Sequence, residues 1–378
     1  MTVTPFDVHV PQETLDDMQA RLANTRWPDE ISGAEWEYGT NLSYMKELIE
    51  YWQNDFDWRE QEKSINQFDH YRAEVDGFGI HFIHEHGSGD NPTPLLLTHG
   101  WPSSFIQMLD IIPLLTNPET DINEEASSFD VVVPSLPGYG FSDRPTERGM
   151  SASRIADLFS TLMADELGYD RYALRGSDLG ASVSQQLGLS NPESVIGIHL
   201  AGTSPYLGEE PENLTETEQE HVEDNQRWLE QEGAYALEHA TKPQTLAYGL
   251  NDSPAGLAAW IVEKFRAWSD CGGDIETAFT KDEMLTNLTI YWTTETINSS
   301  IRLYYESLHD PGNQGRVEVP TGILMAQNDI LPNPREWSER FYQVERWTET
   351  SQGGHFLEWE APELVADDIH TFFRSLKR

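Results

Sequence analysis

A glycine-framed turn is the strongest chemical signal in the chain. The residues Gly-Ser-Asp-Leu-Gly at 176–180 follow an apolar strand pattern and precede a helical one. This is the setting of a nucleophile elbow, a turn so tight that the residues two before and two after the nucleophile must be small. Around Asp178 those residues are Gly176 and Gly180, whereas around Ser177 they would be an arginine and a leucine. The spacing therefore favours the Asp178 carboxylate as nucleophile, although a plain helix-opening turn with an acidic N-terminal residue would look similar.

Two residues far along the chain extend this signal. Asp329 ends the strand pattern TGILMAQND, and His355 follows the last strand pattern in the segment Gln-Gly-Gly-His-Phe. In open α/β sheets, catalytic groups gather at the carboxyl ends of strands. Taken singly, Asp329 is explained as a turn former and His355 as a surface histidine. With Asp178 they form the chain order nucleophile, acid, histidine, which is the order of a hydrolytic triad on such a sheet.

A third segment offers backbone donors. His99-Gly100-Trp101-Pro102 follows the apolar strand pattern PLLLT. In this position of a hydrolase sheet, a backbone N–H group stabilises the oxyanion that forms during acyl transfer. We expect the N–H groups of Trp101 and of Leu179, the residue after the nucleophile, to form that oxyanion hole. An ordinary strand–helix turn would also account for the motif.

The elements that must position these groups alternate between strands and helices. After a helical start with amphipathic segments at 12–23 and 44–52, a hairpin pattern begins at Phe68, and strand and helix patterns then follow one another. This alternation predicts an α/β fold with a mostly parallel sheet and helices on both faces. A long, acidic, helical stretch interrupts it. The expected organisation is an N-terminal helical meander at 1–67, a first core part at 68–205, a helical cap at 206–307 and a second core part at 308–378.

The charge balance excludes several classes of function. The chain has 378 residues with 65 Asp+Glu against 24 Lys+Arg, which gives a formal net charge of −41. Repulsion between these carboxylates and phosphates argues against nucleic acid and against anionic membranes as partners. Only 6 of the basic residues are lysines, a depletion typical of proteins from salt-rich cytoplasm, with an ordinary acidic surface as the alternative. The acidic run at 209–224 is expected to be solvated.

Cysteine usage and hydropathy point to a cytoplasmic protein without a cofactor. The single cysteine, Cys271, cannot form an intrachain disulfide, and no cysteine–histidine set has zinc-site spacing. There is no signal-peptide pattern and no apolar run long enough for a bilayer. His81, His84 and His86 lie on one strand, where only His84 and His86 share a face, so we expect no metal site there. The sequence permits a homodimer.

Several motifs together resemble one known family. HGWP, the aspartate elbow RGSDLGA, SLPGYGFS, the lid stretches GAYALEHATKPQT and YWTTETINSSIRLYYES, and GGHFLEWEAPE are similar to epoxide hydrolases of the microsomal-type branch of the α/β-hydrolase fold. The resemblance covers almost the whole chain, including the N-terminal meander, but not the membrane anchor of vertebrate members. Leu179 departs from the pattern, because many relatives carry tryptophan there.

The resemblance implies two lid tyrosines that activate the epoxide oxygen. By motif these are Tyr304, in the run Ile-Arg-Leu-Tyr-Tyr-Glu, and Tyr235, in Gly-Ala-Tyr-Ala. Tyr305 is the competing choice, and on a helix it would point about 100° away from its neighbour.

The implied reaction is hydrolysis of an epoxide to a vicinal diol through an ester on Asp178, with the small-molecule epoxide and water as the only partners. His355, supported by Asp329, would activate the water. A haloalkane or haloacid dehalogenase shares this nucleophile and base and stays an alternative. A serine esterase is disfavoured by the elbow spacing, and a non-catalytic binding protein by the complete triad.

Overall fold

The computed structural model describes residues 3–118, 128–202 and 211–376. Its centre is a nine-stranded sheet with the spatial order β1-β2-β3-β5-β4-β6-β7-β8-β9. The strands are β1 (Thr4–Pro5), β2 (His70–Val75), β3 (Phe78–Glu85), β4 (Thr93–Thr98), β5 (Phe129–Pro134), β6 (Tyr172–Ser177), β7 (Val195–Ala201), β8 (Val317–Ala326) and β9 (Tyr342–Thr350).

The sheet is antiparallel at one side and parallel through the rest. β1, β2, β3 and β5 pair antiparallel, whereas β5, β4, β6, β7, β8 and β9 pair parallel. All six residues of β5 and of β6 are buried, as expected for strands that helices cover on both faces. The predicted α/β class, the hairpin and the strand order along the chain are confirmed. Because neighbouring strands from β5 to β9 are parallel, their carboxyl ends meet at one edge of the sheet.

The helices fall into three groups along the chain. The N-terminal helices are α1 (Gln12–Ala23), α2 (Leu42–Asn54) and α3 (Trp58–Ile65). The core helices are α4 (Ile111–Thr116), α5 (Ala152–Thr161), α6 (Leu179–Ser190), α13 (Arg335–Phe341), α14 (Leu357–Glu360) and α15 (Pro362–Leu376). Between β7 and β8 lie α7 (Glu216–Gln231), α8 (Ala234–Thr241), α9 (Pro243–Leu250), α10 (Pro254–Trp268), α11 (Lys281–Thr294) and α12 (Ile297–His309), which we term the helical insertion.

The N-terminal segment packs against the helical insertion. Trp52 of α2 is fully buried, and its indole N–H donates to the Thr289 hydroxyl of α11 at 3.2 Å. The Arg21 guanidinium forms an ion pair with Asp252 at 2.7 Å. The sequence analysis does not predict α3, because only two of its three buried residues, Trp58 and Ile65, are apolar. The third buried residue is Glu62, so the helix has no clear apolar periodicity. The predicted boundary between core and cap, at 205 and 206, lies outside the described residues.

The acidic run is mostly but not wholly solvated. Its residues 209 and 210 lie outside the described residues, and most of the carboxylates of 211–224 are exposed. Glu218 departs from the prediction, because it is 1% exposed and accepts hydrogen bonds from the Arg340 guanidinium of α13. Those hydrogen bonds lower the pKa of Glu218 to about 2. The contact therefore attaches the start of the helical insertion to the second part of the core.

Within residues 3–118, 128–202 and 211–376, every helix is too short or too polar to serve as a membrane-spanning segment.

Candidate active site

The turn between β6 and α6 holds Asp178 in a strained conformation. Its backbone has φ 50° and ψ −122°, a region that residues with side chains rarely adopt. The close packing of this turn requires the two flanking glycines. A Cβ atom built on Gly176 would lie 2.4 Å from the carbonyl oxygen of Gly180, and one on Gly180 would lie 2.1 Å from that of Thr98. The structure thus shows the tight elbow that the glycine spacing predicts, with Asp178 at its tip.

The loop after β4 presses against the Asp178 carboxylate. The Trp101 N–H donates to Asp178 Oδ1 at 2.9 Å. Gly100 allows this approach, because a Cβ there would lie 2.3 Å from the same oxygen. Trp101 thus occupies the predicted donor position. Leu179, the other predicted donor, is the first residue of α6, where amides lack partners within the helix.

His99 stabilises this loop as a neutral imidazole. Burial is the main cause that lowers the pKa of His99 to about 4. Its Nε2 accepts from the Leu136 N–H at 3.2 Å, so its Nδ1–H is free to donate to the Gly100 carbonyl at 3.1 Å. The His99 ring therefore links the HGWP motif to the segment after β5 and also binds the Gly100 carbonyl within the motif.

His355 lies between the two carboxylates of the predicted triad. Its Nδ1–H donates to Asp329 Oδ1 at 2.8 Å, and its Nε2 lies 3.4 Å from Asp178 Oδ2. Asp329 Oδ1 also accepts the Ile330 N–H at 2.7 Å, which fixes the carboxylate. The Nε2 atom has no hydrogen-bond partner among the described residues. The imidazole is thus oriented at one nitrogen and uncommitted at the other, on the side that faces Asp178.

Opposing effects act on the charge of His355. Burial by itself lowers the pKa of the imidazole, but the charge of Asp329, its hydrogen bond to the ring and the nearby carboxylate of Asp178 together outweigh it and raise the pKa to about 10. One of these contributions depends on a charged Asp178. Loss of that charge would lower the pKa of His355 and favour the basic form of the ring.

The loop that carries His355 is fixed by a carboxylate that sequence reasoning missed. Glu360 accepts the N–H groups of Gly354 at 3.0 Å, Phe356 at 3.0 Å and Asp270 at 2.7 Å. The His355 N–H donates to the Trp268 carbonyl at 2.8 Å. Glu360 belongs to the GGHFLEWEAPE motif, and the acidic residues of that motif are the signal by which the sequence could have identified it. The loop that carries His355 is therefore held to α10 of the helical insertion as well as to the core.

Tyr235 of α8 and Tyr304 of α12 lie above this edge of the sheet. The Tyr235 ring stacks on the Trp101 ring with a centroid distance of 5.4 Å, and the Tyr304 ring meets the same indole edge-on at 6.1 Å. Burial, followed by the charge of Asp178, raises the pKa of Tyr235, and burial and Tyr235 raise that of Tyr304. Both phenols are therefore protonated donors near neutral pH. Tyr305 instead stacks on His309 at 4.0 Å, away from Trp101.

A buried histidine of the helical insertion, His239, packs against the same aromatic rings. His239 is fully buried, with its ring 4.7 Å from that of Trp101 and 5.0 Å from that of Tyr304. The sequence analysis does not single it out, because an isolated histidine in a helical stretch has no distinguishing spacing. Its Nε2 accepts the Trp260 indole N–H at 3.1 Å.

In the described ranges no set of three or more histidine, cysteine or acidic residues is arranged to hold a metal ion. His81 is buried, and its ring nitrogens contact His70 and Ser135 at 2.9 Å each. The rings of His84 and His86 contact each other at 4.5 Å. The three histidines of this strand thus have structural partners of their own.

Known proteins are similar to this chain over almost its whole length. The family model for the epoxide hydrolase N terminus matches residues 3–108, and the α/β-hydrolase fold model matches residues 93–251. A homologue from Stigmatella aurantiaca is 40% identical over 99% of this chain and 86% of its own. Epoxide hydrolase 1 of Sus scrofa is 34% identical over 100% of this chain and 90% of its own. The crystal structure of juvenile hormone epoxide hydrolase from Bombyx mori superposes with a TM-score of 0.88, at 32% identity, covering 100% of this chain and 95% of that one.

The close packing at the elbow can be tested with two alanine substitutions. Gly180→Ala should destabilise the protein by about 1–3 kcal/mol or more, because the new methyl group would meet backbone carbonyls that cannot move independently. Gly249→Ala is the matched control, since a Cβ there has open space within 4 Å and α9 should gain up to about 1 kcal/mol. Denaturant unfolding of both variants measures the difference. Equal stabilities would show that the elbow tolerates a larger residue.

Proposed function

This chain belongs to the epoxide hydrolase family of the α/β-hydrolase fold, and from that membership we propose that it hydrolyses an epoxide to a vicinal diol, with Asp178 as the nucleophile. The family reaction proceeds through a covalent aspartyl ester. One observation supports the assignment to this residue above all others. The Asp178 carboxylate has the Trp101 N–H on one oxygen at 2.9 Å and His355 Nε2 beside the other at 3.4 Å.

In the first half-reaction, a carboxylate oxygen of Asp178 attacks a ring carbon of the epoxide and the carbon–oxygen bond breaks. The electron pair moves to the epoxide oxygen, which needs a proton or a hydrogen bond as it becomes an alkoxide. Tyr235 and Tyr304 supply these donors, because both phenols are protonated and both rings lie against Trp101. The carboxylate attacks through an oxygen lone pair, so no base has to remove a proton from the nucleophile in this step.

In the second half-reaction, His355 removes a proton from water and the resulting hydroxide attacks the ester carbonyl. The bond between the acyl carbon and the diol oxygen then breaks, which restores the Asp178 carboxylate, and the diol oxygen takes up the proton that His355 holds. Asp329 holds the imidazole through Nδ1 and stabilises the cation that forms. The Trp101 and Leu179 N–H groups stabilise the oxyanion. The ester has no negative charge, so its formation removes the Asp178 contribution that raises the pKa of His355. Alkylation of Asp178 therefore shifts His355 towards its neutral form, which is the form that can accept a proton from water.

The dehalogenase alternative requires a different set of donors. A leaving halide needs hydrogen bonds but no proton, whereas an alkoxide needs a proton source, and the tyrosine pair meets that second requirement. The high similarity to epoxide hydrolases over the full chain also favours the epoxide. Parallel assays with styrene oxide and a haloalkane would separate the two activities by their products, diol or halide.

Four further expectations stay proposals: the four-part domain organisation, a cytoplasmic location, salt adaptation and a homodimer. We propose α7–α12 as the cap, because Tyr235 of α8 and Tyr304 of α12 cover the carboxyl edge of the sheet beside Trp101.

The division of labour between the half-reactions predicts the behaviour of His355→Gln. This variant should open styrene oxide and then stall as the ester, because the base acts only in hydrolysis. Intact-protein mass spectrometry should detect the protein with one substrate attached. Asp178→Asn is the control, which should neither label nor form diol, since an amide is a poor nucleophile. A folded His355→Gln variant that binds styrene oxide without labelling would contradict the assignment.

The donor assignment predicts different effects for two adjacent tyrosines. Tyr304→Phe should slow ring opening by about 10²–10⁴-fold, the range for loss of a positioned proton donor, with a smaller loss if Tyr235 compensates. Tyr305→Phe should change it little, because that ring packs on His309. Single-turnover rates of ester formation measure both. The reverse order of the two effects would exchange their roles.

A further inference from the structure

Three buried polar side chains form a compact cluster beneath the active edge of the sheet. The Arg175 guanidinium and the Glu358 carboxylate are both fully buried, and they form an ion pair with Nη2 donating to Oε1 at 2.7 Å and Nε to the same oxygen at 3.0 Å. The second carboxylate oxygen of Glu358 accepts the Gln107 side-chain N–H at 2.7 Å. We term these three residues the clamp.

Each clamp residue lies close in sequence to one group of the site. Arg175 is on β6, three residues before Asp178, and Glu358 is on α14, three residues after His355. Gln107 is in the 3₁₀ turn Phe105–Met108 that follows the HGWP motif. One carboxylate, that of Glu358, therefore joins the segments that carry the nucleophile, the base and the oxyanion donor.

The clamp is anchored on its far side by a second set of buried partners. Arg175 Nη1 donates to His199 Nδ1 at 2.8 Å, which leaves His199 Nε2–H to donate to Asp368 Oδ2 at 2.9 Å. Asp368 of α15 also accepts from the Arg346 guanidinium and the Thr348 hydroxyl of β9. Burial lowers the pKa of His199 to about 4, so the ring is neutral. The two arginines and two carboxylates of the network thus balance in charge across β6, β7, β9, α14 and α15.

We propose that the Arg175–Glu358 ion pair is a positioning element that sets the place of His355 relative to Asp178. This inference rests on the proposed roles of those two residues. The side chains of Arg175, Glu358 and Gln107 are buried and bind one another and His199, so in this proposal they act through the segments they hold. A buried ion pair is a weak source of net stability, so a positioning role gives a physical reason for its presence here.

The two catalytic groups depend on the clamp to different extents. Asp178 is fixed by the backbone, because β6 is paired on both sides and the elbow packs on Thr98. His355 lies on a loop that begins with two glycines, the first with φ 73°, and the hydrogen bonds of Glu360 and of the Trp268 carbonyl hold this loop to the end of α10 and not to β6. Removal of the clamp should therefore displace the base more than the nucleophile. Ester hydrolysis should suffer while ring opening continues.

The test removes both charges together. Loss of one partner alone would leave the other charge buried and unpaired, which destabilises a protein regardless of function. The double variant Arg175→Met/Glu358→Met avoids this. With styrene oxide, we expect its ring-opening rate to stay near that of the parent protein and its ester hydrolysis to fall by about 10- to 100-fold, the scale of a misplacement of roughly 1 Å. The ester should then accumulate during turnover.

A second ion pair provides the matched control. Arg59 and Glu62 of α3 pair at 2.7 Å, with the Glu62 carboxylate 10% exposed and also bound to the Val10 N–H. Arg59→Met/Glu62→Met should lower stability without a change in the ratio of the two half-reaction rates. Gln107→Met is the milder variant of the clamp and keeps the test open if the double variant does not fold. Gln107→Met should also slow ester hydrolysis more than ring opening, by a smaller factor than the double variant.

Two outcomes would overturn the inference. One is a folded clamp variant whose two half-reactions slow equally or not at all. The other is a control variant that accumulates the ester to the same extent as the clamp variant. His355→Gln in the same experiment separates this failure from failure of the proposed function. If His355→Gln accumulates the ester and the clamp variant does not, the catalytic roles stand and the clamp inference alone is wrong.

Discussion

The close contact between the nucleophile elbow and the end of β4 is the constraint on which the site depends. Two backbone segments approach so closely that a single methyl group at Gly180 would overlap the Thr98 carbonyl, and one at Gly100 would overlap the Asp178 carboxylate. This contact brings the Trp101 N–H to hydrogen-bond distance of the nucleophile. The donor is therefore a backbone group of the loop that follows β4, and its position does not depend on a flexible side chain.

The electrostatics of the site follow from its burial. Asp178, Asp329 and His355 lie close together and are largely removed from water, so each charge strongly affects the others. The neighbouring carboxylates raise the pKa of His355, and in the proposed mechanism the uncharged ester on Asp178 would lower it again. In the proposed mechanism, this change in charge at Asp178 favours the neutral form of His355 when the ester is to be hydrolysed. The tyrosines need the opposite property, and burial provides it by keeping both phenols protonated.

The features that depend on residues near one another in the chain could be predicted from the sequence. The features that depend on contacts between distant residues could not. Glycine spacing identifies the elbow because the turn geometry is determined by residues next to one another. The alternation of strands and helices predicts the sheet for the same reason. By contrast, the burial of Glu218 depends on Arg340, more than a hundred residues away. The Arg175–Glu358 pair likewise joins residues 183 positions apart, and neither residue has a local signal.

The fate of the water oxygen tests the central claim, that Asp178 carries the covalent ester. In a single turnover of excess protein with styrene oxide in H₂¹⁸O, attack of water on the ester carbonyl leaves the heavy oxygen in the Asp178 carboxylate. The diol then receives its new oxygen from the protein. We predict a heavier Asp178 peptide and an unlabelled diol by mass spectrometry. A labelled diol with an unlabelled Asp178 would show direct attack of water on the epoxide and contradict the ester mechanism.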